Sequence, residues 1–72
     1  MKTPTTDDVR RLFEATGAPI TELAADLGLP ARTLFRWKSG ERAMHPLLWR
    51  GLVSALHDKE WLSDRDAWEA LR

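Results

Sequence analysis

Seventy-two residues suffice for one small domain, and a chain of that size buries only about 60% of the surface its unfolded form exposes. There is no cysteine, which excludes a disulfide framework and any cysteine-based zinc site. Eleven basic and eleven acidic side chains cancel, so a uniformly basic polyanion binder is excluded as well. The average conceals a segregation. Residues 1–27 carry a net −2, residues 28–50 a net +4 and residues 51–72 a net −2. The middle segment holds Arg32, Arg36, Lys38, Arg42 and Arg50 against Glu41 alone. A cationic middle between anionic flanks is the pattern of a polyanion-binding face on a solubilised body. Charges that only solvate helices would be mixed more evenly.

Taken in chain order, the pattern is helical throughout, with no alternating β-branched or aromatic stretch that would read as a strand. Thr5 is a plausible N-cap, and Asp8 three residues on completes an acidic capping box. Val9, Leu12 and Phe13 repeat at i, i+3 and i+4, one stripe of an amphipathic helix. Gly17 ends it and Pro19 prevents continuation, which predicts a first helix over Thr6–Thr16. Thr21 is expected to cap the second helix, with Ile20 just outside it; Leu23, Ala24 and Leu27 line its inner face and Gly28 closes it. Pro30 is read as the first residue of a third helix, where its missing N–H is harmless. That helix runs to Ser39 and stops at Gly40. Glu41–Met44 form a loop, and His45-Pro46 opens a fourth helix running to about Asp58. A fifth covers Asp64–Leu71, capped by Ser63 or Asp64. The expected architecture is a single all-α domain over residues 1–72, a bundle of five short helices.

The stretch from Ile20 to Gly40 carries the functional signal. Two short helices joined at Gly28 cross steeply, Ala24 sits where they come closest, and Gly28 permits a left-handed turn. Leu23, Leu27, Leu29, Leu34 and Trp37 are expected to fill the wedge. These features match a helix-turn-helix made of helices two and three. The chain resembles the lambda-repressor-like, or Cro/Xre-type, regulators at Leu23-Ala24, Leu27-Gly28-Leu29, Leu34, Trp37 and Ser39-Gly40. Its Arg36-Trp37-Lys38-Ser39-Gly40 is similar to the R-W-x-x-G ending of bacterial and phage members. In size and layout it also resembles the small regulators found beside anti-CRISPR genes in phages. The resemblance covers about residues 5–57. It departs from the pattern at Ile20-Thr21, where many relatives have glutamine, and at Pro30, where they have Ser or Thr.

Arg32 and Arg36 stand four apart on the outward side of the third helix. Like charges so placed cost an isolated helix a few tenths of a kcal/mol unless an anion meets them. Arginine can bond bidentately to guanine in the major groove. The resemblance places base reading at Ala31, Arg32 and Arg36. Phe35 joins them by packing on a thymine methyl, or else folds back onto the hydrophobic body. Thr21, Thr33, Lys38, Ser39, Arg42 and His45 are expected at phosphates, as are the free N–H groups opening helices two and four. The broad apolar face of helix four and the apolar tail suggest a homodimer interface built on Trp49, Val53, Trp61 and Trp68.

No enzyme is expected. His45 and His57 lie twelve apart without cysteine, so no metal site is expected either, and neither a nucleophile elbow nor a phosphate loop is present. The resemblance implies a DNA-binding transcriptional repressor of a phage or other mobile element. It would work as a homodimer on an inverted repeat, control its own operon, and need neither cofactor nor small-molecule effector. An interaction protein such as an antitoxin, gripping a protein partner through the tryptophan-rich C-terminal helices, remains the alternative. The longest strongly apolar run is Leu47-Leu48-Trp49, against about 20 residues for a membrane span. Met1–Asp8 lacks the apolar core of a signal peptide. A cytoplasmic, nucleoid-associated protein is expected.

Overall fold

The computed structural model describes residues 3–72. Every regular element among them is α-helical: α1 Thr6–Thr16, α2 Ile20–Leu27, α3 Ala31–Ser39, α4 Pro46–Asp58 and α5 Asp64–Leu71. The ends of α1 follow from local chemistry. Thr5 accepts from the Asp8 N–H and Asp8 accepts in return from the Thr5 N–H, a complete capping box. Gly17 closes the helix in the left-handed region.

Helices α2 and α3 begin differently from expectation. Pro19 and Pro30 are the N-caps, not helical residues, and neither end has a side-chain cap. Thr21 consequently lies inside the first turn of α2. The reason is backbone geometry, since both prolines sit in extended conformation and their carbonyls receive the first N–H groups of the following turn. A Schellman closure ends α2: Leu29 donates to the Ala24 carbonyl and Gly28 to that of Ala25. The left-handed Gly28 (φ 71°) turns the chain so that α3 starts only three residues after α2.

All five helices feed one core. Val9, Leu12 and Phe13 come from α1, Ile20, Leu23 and Ala24 from α2, and Leu34 and Trp37 from α3. Helix α4 supplies Trp49, Leu52, Val53 and Leu56, and Ala67 closes it from α5. Met44 and Leu62, from the flanking loops, are buried with them. Leu23, Leu34, Val53 and Leu56 are wholly inside, each stabilising the fold by about 1.5–3 kcal/mol. No polar or charged described residue is buried. The radius of gyration is 10.9 Å, close to the roughly 11 Å of a packed chain this long. Of the expected wedge, Leu29 does not belong: it stays 38% exposed, because the turn that closes α2 carries its side chain outward, and Leu27 is only half-buried.

The end of α3 is tied to the start of α1. A Cβ on Gly40, which has φ +80°, would meet Thr6 Oγ1 at 2.7 Å, whereas one on Gly28 would meet nothing within 4 Å. Gly28→Ala is expected to cost about 1–2 kcal/mol through backbone strain alone. Gly40→Ala should cost measurably more in a urea titration, and equal midpoints for the two variants would contradict the close approach.

Candidate nucleic-acid interface

Helix α3 divides into two faces. Leu34 and Trp37 are buried, and α2 and α1 pack on that side. Arg32, Phe35, Arg36 and Ser39 are exposed at i, i+3, i+4 and i+7, adjacent positions on one side of a helix. Phe35 is 48% exposed, so its ring has not folded back into the core. Ala31, expected on the same side, is half-buried and packs against the core; it is the first residue after the turn and its methyl covers the seam. Among the described residues, nothing seals Arg32, Phe35 or Arg36, which are all exposed.

The electrostatics sharpen the picture. Among the described residues, Arg10 pairs with Asp7, Lys59 with Asp26 and Arg65 with Glu69, all within the anionic flanks. The side chains of Arg32, Arg36, Lys38, Arg42 and Arg50 make no ion pair with any described residue. All five cations of the middle segment are left unpaired, whereas Arg10, Lys59 and Arg65 of the flanks each have a carboxylate partner. Such a concentration of open positive charge costs self-repulsion and is relieved by an anion.

The groups expected at phosphates have mixed fates. Arg42 is exposed and Lys38 half-buried, both unpaired. Thr33 is half-buried in the first turn of α3, and Thr21 is exposed in the first turn of α2. The Ser39 hydroxyl is engaged internally, donating to the Arg36 carbonyl and accepting from the Glu41 N–H. His45 caps α4: its Nδ1 accepts from the Leu47 N–H at 3.0 Å. The N–H of Leu47 is thus taken, a correction to its expected availability. An accepting Nδ1 places the ring proton on Nε2, which leaves one outward donor.

The four residues expected at a dimer interface do not form one surface. Trp49 and Val53 are buried within the chain, and the Trp49 indole donates to the Ala70 carbonyl at 3.0 Å. Trp61 is half-buried and its indole donates to Asp26 Oδ2 at 2.7 Å. Only Trp68 faces outward, 65% exposed. Helix α5 folds back on α4, so Trp49, Leu52, Val53 and Leu56 are covered from inside, while Leu47 and Leu48 in the first turn of α4 stay exposed.

Two supporting contacts had no local signal. Arg10 of α1 donates through Nε to the Lys38 carbonyl at 3.1 Å, bracing the last turn of α3. Asp26 of α2 accepts from Trp61 and pairs with Lys59 at 3.7 Å, fastening the α4–α5 turn to the helix beneath α3. Both join residues far apart in sequence. No helix is long and apolar enough to cross a membrane, and no group of three or more potential ligands could hold a metal among the described residues. Set against protein-family models, curated proteins and solved structures, the chain matches none.

The Asp26–Trp61 bond makes a measurable claim. A double-mutant cycle with Asp26→Ala and Trp61→Phe should give a coupling of about 0.5–1.5 kcal/mol in folding stability. Strictly additive effects would show that the indole and the carboxylate do not interact.

Proposed function

We propose that the chain is a sequence-specific, double-stranded-DNA-binding transcriptional repressor of the lambda-repressor-like kind. In this reading α2, the Gly28 turn and α3 form a helix-turn-helix, and α3 enters the major groove. That groove is about 12 Å wide and admits a helix with its side chains. Arg32 and Arg36 would each bond the O6 and N7 edge of a guanine, and Phe35 between them would pack on a thymine methyl. Arg42, Lys38, Thr21 and the free His45 Nε2–H would contact phosphates, fixing register without reading sequence. A homodimer would read the two halves of an inverted repeat, and occupancy near the promoter would block polymerase and control the chain's own operon. No catalytic role, cofactor or effector enters this mechanism.

One observation carries the reading: Arg32, Phe35 and Arg36 form an uncovered stripe on α3, and neither guanidinium has a carboxylate partner. A helix surface needed only for solubility would pair those charges or bury that ring. The antitoxin alternative has less to stand on. The indoles of Trp49 and Trp61 are bonded inside the chain and Trp37 is buried, which leaves Trp68 as the outward tryptophan.

Selection of duplexes from a random pool tests the proposal directly. The wild-type chain should enrich a defined sequence with guanines in each half. Arg32→Ala combined with Arg36→Ala should keep its helical content and melting temperature while binding the enriched duplex about 10- to 100-fold more weakly. Failure to enrich any sequence, or undiminished binding by the double variant, would sink it.

A further inference from the structure

A cleft of about 240 Å³ opens where α1, α4 and α5 meet, and no residue of α2 or α3 lines it. Leu12 and Trp49, both buried, form its apolar floor. Helix α1 lines one wall with Arg11 and Ala15, neighbours at i and i+4. Helix α5 lines the other with Asp66, Glu69 and Ala70. The Trp49 indole ties floor to wall by donating to the Ala70 carbonyl at 3.0 Å. The charges of the two walls are opposite and unmatched. Arg11 and Asp66 are exposed, and neither forms an ion pair with the other or with any other described residue. Glu69 has Arg65 of its own helix at 3.8 Å, and Asp8, at the rim, accepts from the Thr5 N–H as part of the α1 cap. An arginine that served only to cover Trp49 would close on the carboxylate across the gap. These two groups instead stay apart, with an apolar floor between them.

We propose that this cleft binds a free α-amino acid with an apolar side chain. The ligand carboxylate would meet the Arg11 guanidinium, whose planar fork matches it bidentately. The ammonium would meet Asp66, with Glu69 beside it, and the side chain would lie on Leu12 and Trp49. Charge complementarity selects this class of ligand over its neighbours. A bare anion would face the carboxylates of the α5 wall, and a bare cation would face the guanidinium. A neutral apolar molecule would strip water from both charged groups and give them nothing in return, which is costly. A small zwitterion with an apolar body meets all three demands. The volume falls below the roughly 300–1,000 Å³ of sites for drug-sized ligands, which suits a single amino acid better than a peptide. Because three helices contribute to the cleft, the bound molecule would clamp them together and stabilise the fold by mass action. The inference is independent of the DNA reading, since the cleft and the α3 face share no residue.

Titration of the isotope-labelled full chain with L-leucine, followed by NMR to about 10 mM and so beyond a weak millimolar Kd, provides the test. Saturable shifts should centre on the Trp49 indole N–H, Leu12, Ala15 and Ala70, and leave Arg32, Phe35 and Arg36 unmoved. Arg11→Gln and Asp66→Asn should each weaken binding at least about tenfold, with circular dichroism and the melting temperature of the free protein unchanged. Two analogues probe the ends separately on the wild-type chain. N-acetyl-leucine lacks the ammonium and leucine methyl ester lacks the carboxylate, and each should bind about tenfold more weakly than leucine. The acetylated compound should be indifferent to Asp66→Asn, and the ester to Arg11→Gln. No saturable shift, or shifts confined to other surfaces, would overturn the site. An ester as tight as leucine would make it a cation site, and an acetylated compound as tight as leucine an anion site, either of which defeats the zwitterion.

Discussion

The structure depends on how closely α2 and α3 can approach. Each is under three turns long, too short to hold helical shape alone in water. Their crossing is maintained by Leu23 and Leu34, which have no exposed surface, and by Ala24, which is almost as fully enclosed. A larger side chain at Ala24 would separate the helices, and a residue unable to adopt the left-handed turn at Gly28 would misdirect α3. Once Leu34 and Trp37 are committed inward, helical geometry leaves Arg32, Phe35, Arg36 and Ser39 no direction but outward. The chemistry of the outer face is in that sense a consequence of packing.

Charge placement follows the same division. Three carboxylates of the flanks are paired with nearby cations: Asp7 with Arg10, Asp26 with Lys59 and Glu69 with Arg65. These exposed pairs contribute little stability individually, at most about 1 kcal/mol each. Their effect is to hold those three acids away from α3. A chain with zero net charge can present a local positive surface only if its acids are held away from it. Arg10 serves twice, since it pairs with Asp7 and also donates to the Lys38 carbonyl at the end of the helix bearing three of the open cations.

How much was legible in the chain depended on the range of each interaction. The boundaries of α1, α4 and α5 were readable because Thr5, His45-Pro46 and Ser63 act within a few residues of themselves. The entry to α2 was displaced by two residues and that to α3 by one, since Pro19 and Pro30 cap with their carbonyls and no side-chain signature marks that. The outward stripe of α3 was readable from helical spacing once Leu34 and Trp37 were assigned to the core. The roles of Trp49, Val53 and Trp61 were not, because an apolar helix face looks the same whether a second copy covers it or the chain's own tail does. Only the return of α5, fixed by the Trp49–Ala70 bond across 21 residues, separates the two. Ala31 and Leu29 illustrate a finer limit, as residues flanking a tight turn owe their direction to turn geometry more than to periodicity.

The internal tryptophans matter to a two-copy reading even though they do not face a second copy. An inverted repeat with half-sites one helical turn apart, roughly 34 Å, can be read only if the two α3 helices are held at a definite separation. In the proposed homodimer, that separation would be transmitted through each chain. The Trp49–Ala70 and His57–Asp64 bonds hold α5 to α4, and Asp26 holds the α4–α5 turn to α2 through Trp61 and Lys59. The turn itself accepts strain to do so. Glu60 adopts a left-handed conformation (φ 67°), at roughly 1–2 kcal/mol for a non-glycine residue. The Schellman closure it completes, with the Trp61 N–H on the Leu56 carbonyl at 2.8 Å, aims the indole at Asp26. A flexible tail would associate just as readily but would leave the spacing of the two reading heads undefined. A rigid path from α5 through α4 to α2 and α3 would hold the reading heads of the proposed homodimer at a fixed spacing, and pairing would add stability to so small a fold by mass action.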